Sequence, residues 1–209
     1  MTLVGIISDV HSAPAELAEA LSIFEHQGVD SIFCAGDIAG YMDQLNQTVQ
    51  LLVDSHCKTV VGNHDLLHLD HHDDESDTSS ITYLKSLPSY IESTLDDKKV
   101  YMVHAQPPDG CHGGIKLLDK KGDLISEKVN DWTKVLAGYD FDVLVVGHTH
   151  QVFAENLGDV LVINPGSTVF NHSCAILSLP DMTVEFFALA GKEIQTTWNW
   201  GENVIYSGR

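Results

Sequence analysis

Seven side chains able to ligate a metal fall in five short blocks of this sequence, and most of these blocks follow an apolar run of strand character. They are Asp9 and His11 in Ser8-Asp9-Val10-His11, Asp37 in Gly36-Asp37, and Asn63 in Gly62-Asn63-His64-Asp65. His104 ends Val100-Tyr101-Met102-Val103-His104, and His148 and His150 sit in Gly147-His148-Thr149-His150. Carboxylate, amide and imidazole ligands without a thiolate suit hard or borderline divalent ions such as those of Mn, Fe or Zn. The chemistry to expect is that of a metal-centred hydrolase. No single block is decisive, because Asp-x-His is common by chance and Gly-Asp commoner still. What is specific is their order, with ligands placed where strands stop.

The elements that must position these groups can be read from periodicity. Residues 3–7 form a buried-strand run, Ser12-Ala13-Pro14 is a helix start with proline in its first turn, and Leu17, Ala20, Leu21 and Phe24 recur at helical spacing before Gly28. Further strands are expected over 31–35, 59–61, 100–104 and 143–146, with helices over 45–53 and 126–136. Strand alternating with helix at this spacing means βαβ units and a largely parallel sheet. A strand end is a rigid support, and loops leaving one sheet edge can carry distant side chains to one point. The stretch 66–97 reads as a polar loop or exposed helix end followed by a short helix, and 106–114 as loop. After His150 the pattern changes to short strands over 151–154, 160–163, 175–179 and 183–189, an antiparallel run that forms a second sheet or extends the first.

At 209 residues the chain is expected to be one domain, with a core over about 1–190 and a tail over 191–209. The tail, with Trp198 and Trp200, is expected to pack back on the body, the other reading being a dimer contact that would make the chain an oligomer. Apolar residues make up 44% of the chain, with no run near the ~18 residues of a membrane span. No secretory signal is expected, since residues 1–7 pass at once into an apolar strand run without a basic segment or a small-residue cleavage site. Cys34, Cys57, Cys111 and Cys174 form no Cys-x-x-Cys pair and read as reduced thiols, which points to the cytoplasm. The formal charge of −19, from 11 basic and 30 acidic residues, repels nucleic-acid backbones and anionic membranes.

The ordered blocks Asp-x-His, Gly-Asp, Gly-Asn-His-Asp, His and Gly-His-x-His resemble the calcineurin-like metallophosphoesterase superfamily over about residues 1–190. The resemblance implies an α/β fold, with two mixed β-sheets forming a sandwich flanked by helices in four layers. It also implies a centre of two divalent ions, Mn first with Fe, Co, Ni or Zn as alternatives. Carried over by position, Asp9, His11 and His150 would bind one ion and Asn63, His104 and His148 the other, with Asp37 bridging. His64 would be the general acid while a metal-bridging hydroxide attacks phosphorus; the alternative for His64 is to orient substrate by a hydrogen bond. The expected function is hydrolysis of phosphodiester or phosphomonoester bonds in a small phosphorylated substrate.

Departures narrow the branch. Gly36-Asp37 continues as Ile38-Ala39-Gly40-Tyr41, which lacks the Asp-Arg-Gly of protein phosphatases, and Tyr41 stands one position too late for the tyrosine ligand of purple acid phosphatases. The continuation resembles that of small bacterial and archaeal phosphodiesterases, and leaves open which group orients His64. Asn164-Pro165-Gly166-Ser167 is either a plain turn or a wall of the pocket. His68, His71 and His72 among aspartates read as a solvated polar segment ahead of an accessory metal site, and Cys111-His112 as a surface loop ahead of a pocket contact. The competing functions are a non-catalytic scaffold of the same fold, disfavoured by the intact ligand set, and a nuclease, disfavoured by the absence of a basic stripe.

Overall fold

The computed structural model describes residues 1–71 and 79–198. Two five-stranded mixed sheets face each other. The first has the order β10-β9-β1-β2-β3, from β1 (Thr2–Ile7), β2 (Ser31–Cys34), β3 (Lys58–Thr59), β9 (Ser173–Leu179) and β10 (Thr183–Ala188). The second has the order β4-β5-β6-β8-β7, from β4 (Tyr90–Leu95), β5 (Lys98–Val103), β6 (Val143–Val145), β7 (Val152–Leu157) and β8 (Val160–Pro165). Among the described residues five helices flank them: α1 (Pro14–Gln27), α2 (Leu45–Asp54), α3 (Asn63–His71), α4 (Ser79–Ser86) and α5 (Ser126–Leu136). This is the helix-flanked α/β sandwich expected from the sequence.

Strand alternation explains the layers. Val4 and Ile6 of β1 point between the sheets, where they meet Phe33, Val100, Met102, Val143, Val145, Ile163 and Leu177. The intervening Ile7 faces outward onto Leu17, Ala20 and Phe24 of α1 and onto Leu52 of α2. Both faces of β1 are therefore covered, which is why its sequence is continuously apolar. On the outer face of the second sheet, Val103, Leu144 and Val162 pack against Val129, Trp132 and Leu136 of α5.

The structure corrects several expectations. β4 lies inside the stretch read as loop and short helix; its alternation of exposed and half-buried residues is that of an edge strand, paired antiparallel with β5. The late strands do not form one antiparallel run. β8 pairs parallel with β6 and antiparallel with β7, whereas β9 crosses to the first sheet and pairs antiparallel with β1. β8 also runs on through Asn164 and Pro165, which the sequence placed in a turn. The tail packs on the body as far as it is described, since the Val152 amide donates to the Thr196 carbonyl and the Trp198 amide to that of His150. His72 and Trp200 lie outside the described residues.

Candidate metal centre

Strands β1, β2 and β3 run parallel, so Asp9, Asp37 and Asn63 leave the same end of the first sheet. Strands β5 and β6 are parallel too, and release His104 and the His148–His150 turn from the second sheet. All seven expected ligands converge where the two sets of ends meet. Asp9, His11, Asp37, His104 and His150 are buried, and Asn63 and His148 half-buried. Asn63 opens α3, which runs on into the stretch read as a polar loop or exposed helix end.

Five of the seven hold left-handed backbone: Asp9 (φ 51), His11 (φ 50), Asp37 (φ 56), His148 (φ 64) and His150 (φ 49). Such conformations are unfavourable by roughly 1–2 kcal/mol each for a residue with a Cβ, and they persist only where the surroundings impose them. Here the Asp9 amide donates to the Gly36 carbonyl and the His11 amide to that of Asp37, each at 3.0 Å. The His148 amide donates to both carboxylate oxygens of Asp9, at 3.2 and 3.0 Å. Close approach also demands glycine. A Cβ on Gly62 would stand 2.1 Å from Asp37 Oδ1, and one on Gly147 would stand 1.8 Å from Ser8 Oγ.

The donor atoms form linked groups. Asp9, His11 and His150 make one, Asp37, His104 and His148 another, and His11, Asp37 and His64 a third; within each, one atom from every residue lies within 4.8 Å of the others. His11 and His150 approach Nε2 to Nε2 at 3.3 Å, with His150 Nε2 3.3 Å from Asp9 Oδ1. Asn63 Oδ1 lies 3.0 Å from His104 Nε2 and 2.8 Å from His148 Nδ1, and His104 Nε2 is 3.4 Å from Asp37 Oδ1. Asn63 thus joins His104 and His148, and Asp37 is shared by the second and third groups.

These contacts test whether the residues fit metal ions. His104 Nδ1 lies 2.6 Å from the Ala35 carbonyl, which can only accept, so Nδ1 carries a hydrogen, and in the neutral ring Nε2 presents a lone pair. That lone pair faces two more acceptors, Asn63 Oδ1 and Asp37 Oδ1. His11 Nδ1 likewise donates to the Ala39 carbonyl at 3.3 Å, which turns its Nε2 lone pair into the cluster. Lone pairs converging in a buried space are stable only around a shared positive charge, and ring N–H groups tied to carbonyls are the usual support of metal-ligating histidines. The residues present fit divalent ions.

The electrostatics agree. Burial opposes ionisation of Asp9, but facing His150, His104 and His11 hold its carboxyl below the usual range. Asp37 is lowered likewise, chiefly by His104 against its own burial. Burial pushes His11 down to about 4, against the pull of Asp9 and Asp37, and His148 down to about 4, helped by His104. His104 goes the other way, to about 9, because Asp37 and Asp9 outweigh its burial; a proton on its Nε2 answers the same demand for positive charge that an ion would. Two carboxylates thus demand a cation, while two of the imidazoles facing them stay neutral and ligating.

The sequence reading assigned no role to Asp65, which the structure makes a bridge between loops. Its buried carboxylate accepts from the Ala39 amide at 2.7 Å through Oδ1 and from the Gly62 amide at 2.8 Å through Oδ2. Burial first, and Asp37 second, push its pKa up to about 7. Asn164 and Ser167 are also ties rather than a plain turn. Asn164 Nδ2 donates to the Gly147 carbonyl at 2.9 Å, and Ser167 Oγ to the Asp9 carbonyl at 2.6 Å. The signal for Asp65 was its place beside Asn63; nothing local marks Ser167, whose partner is distant in sequence.

His64 donates its backbone N–H to Asp37 Oδ1 at 2.8 Å, and its ring stands edge-on to His11 at 5.0 Å and tilted to Tyr41 at 4.8 Å. Aromatic rings therefore flank the His64 ring. His68 and His71 end α3 and join none of the metal-capable groups among the described residues. Cys111-His112 does come near the centre: the His112 ring lies 6.4 Å from that of His148.

A family model of the calcineurin-like phosphoesterase superfamily domain matches residues 2–181. An uncharacterized protein of Methanocaldococcus jannaschii is 29% identical over 195 residues, spanning 86% of this chain and 75% of its own. A phosphodiesterase of the same archaeon is 25% identical over 169 residues, spanning 78% and 82%. A solved structure, a hypothetical protein from Pyrococcus horikoshii OT3, superposes with a TM-score of 0.72 at 16% identity, over 93% of this chain and 89% of its own, a likeness of fold alone.

Proposed function

The chain belongs to the calcineurin-like phosphoesterase superfamily, and from that premise we propose that it hydrolyses phosphate esters, diesters ahead of monoesters, at a centre of two divalent ions. The observation that carries this is the pair of donor groups, Asp9–His11–His150 and Asp37–His104–His148, with Asn63 Oδ1 between the two histidines of the second. Asp9, His11 and His150 would hold one ion and Asn63, His104 and His148 the other, with Asp37 serving both through its two oxygens. Mn²⁺ is the first choice, with Fe, Co, Ni and Zn ions compatible with the same donors. When bound, such ions supply Lewis-acid charge for phosphate oxygens and make water more acidic.

His64 is the proton donor in this reading. The hydrogen bond from its backbone N–H to Asp37 Oδ1 fixes the backbone at the edge of the centre, and its half-buried ring keeps a route to solvent. From there it gives a proton to the leaving oxygen and is reprotonated from water, as suits an imidazole. The preference for diesters leans on the phosphodiesterase relative and on the Gly40-Tyr41 continuation. The substrate is a small phosphorylated molecule, since a charge of −19 opposes long nucleic acids. The single domain over 1–209 and a cytoplasmic site belong to the same proposal, the latter supported by four free cysteines. No helix among the described residues is long and apolar enough to cross a membrane.

The test is turnover of a chromogenic phosphodiester and a chromogenic phosphomonoester with each of Mn, Fe, Co, Ni and Zn added to metal-stripped protein. Hydrolysis of the diester by the Mn²⁺-loaded protein, lost on chelation, is the expected result. No hydrolysis of either ester with any metal would refute the proposal.

A further inference from the structure

We propose that Tyr41 and Phe170 form a stacking wall beside the centre that selects phosphate esters carrying a planar aromatic group, a nucleobase above all. This inference rests on the phosphoesterase reading and adds the class of substrate. Tyr41 is 50% exposed, although its ring lies 4.8 Å from His11, 4.8 Å from His64 and 5.3 Å from Phe170. Phe170 in turn stacks on His150 at 5.3 Å and 20°, and stands 5.0 Å from Trp198. A row of rings, His64, Tyr41, Phe170 and Trp198, therefore borders the Asp9–His11–His150 group. Beside Tyr41, Met42 is 43% exposed as well.

The placement decides the chemistry. The wall begins at His64, the group assigned to the leaving oxygen, so the part of the ester attached to that oxygen lies against Tyr41. A base lays its whole π-face on such rings, a stacking worth ~1–3 kcal/mol, whereas a sugar alcohol or an alkyl chain has no π-face to stack. Stacking is sequence-tolerant, so the wall sets the class of substrate and not one base. The acidic surface excludes long polynucleotides, which leaves small esters of a nucleoside or another aryl alcohol.

The experiment is calorimetric titration of Mn²⁺-loaded, full-length protein with adenosine 5′-monophosphate and with ribose 5-phosphate. The two share phosphate and sugar and differ by the base alone. The nucleotide should bind about tenfold tighter or more. Tyr41→Ala should bring its affinity down towards that of ribose 5-phosphate, weakening the nucleotide much more than the sugar phosphate; Tyr41→Phe should keep the preference. Ribose 5-phosphate serves as the control for folding and metal loading. Equal affinities in the unmodified protein, or equal weakening of both ligands by Tyr41→Ala, would overturn the wall while leaving the phosphoesterase reading intact. A base-dependent preference in protein that hydrolyses no ester with any metal would do the reverse.

Discussion

Ser167 Oγ donates a 2.6 Å hydrogen bond to the main-chain carbonyl of Asp9, across 158 residues of chain. The same oxygen accepts from the Val169 and Phe170 amides, each at 3.2 Å. One buried hydroxyl therefore holds the left-handed Asp9 turn to the loop that carries Phe170. Ser167→Ala leaves a buried carbonyl and two amides without that partner, and should destabilise the fold by about 1–3 kcal/mol. For a chain of this size that lowers the thermal midpoint by roughly 2–4 °C per kcal/mol. Scanning calorimetry in chelator measures it; a midpoint equal to that of the unmodified protein would show that the turn holds itself.

Asp65 joins the loop of Asp37 to that of Asn63 by giving one oxygen to each. An asparagine has a single acceptor oxygen and would set its NH₂ against one of the two amides. Asp65→Asn should therefore weaken metal binding by about 10–100-fold, the range found for groups that orient ligands. Competition against a fluorescent chelator reads this directly, and unchanged affinity would remove Asp65 from the positioning role.

Gly62→Ala should act on the same loops by crowding. Its Cβ would meet Asp37 Oδ1 at 2.1 Å and the Asp37 amide nitrogen at 2.3 Å, both on a buried turn with no room to retreat. Loss of bound metal at micromolar concentration is expected, checked by elemental analysis after dialysis. Full metal content in a folded Gly62→Ala protein would mean that the two loops separate more easily than their packing implies.

His64→Ala should lower turnover by about 10²–10⁴-fold, as for loss of a general acid, while metal content is retained. The geometry makes this a sharp test, because His64 also falls in a group with His11 and Asp37 compact enough to ligate. A variant that loses metal would show His64 to be a ligand. A substrate with a very acidic leaving alcohol should be the least affected, since its departure needs no proton.

How much of this was legible in the sequence follows from the range of each interaction. Most strands, and the gathering of the candidate ligands at their ends, were readable because apolar runs are local and those residues mostly follow them. The α5 boundaries were readable for the same reason. β4 was not, because an edge strand with one face in solvent has weak alternation and owes its order to pairing with β5. β8 ran past its expected end because Asn164 and Pro165 pair with Phe153 and Val152. The left-handed turns at Asp9, His11, Asp37, His148 and His150 were likewise hidden. They are imposed by hydrogen bonds between loops of different strands, which no local propensity reports. The rings beside His64 were missed for that reason too: Tyr41 and Phe170 are far apart in sequence and meet only across the folded sheets.

The central claim is a two-ion centre shared through Asp37. Crystals of the full-length protein grown with Mn²⁺ and measured at the manganese absorption edge test it most directly. Two anomalous peaks are predicted, one within bonding distance of Asp9, His11 and His150 and one within bonding distance of Asn63, His104 and His148, both touching Asp37. A single peak, or peaks seated elsewhere on the chain, would contradict it.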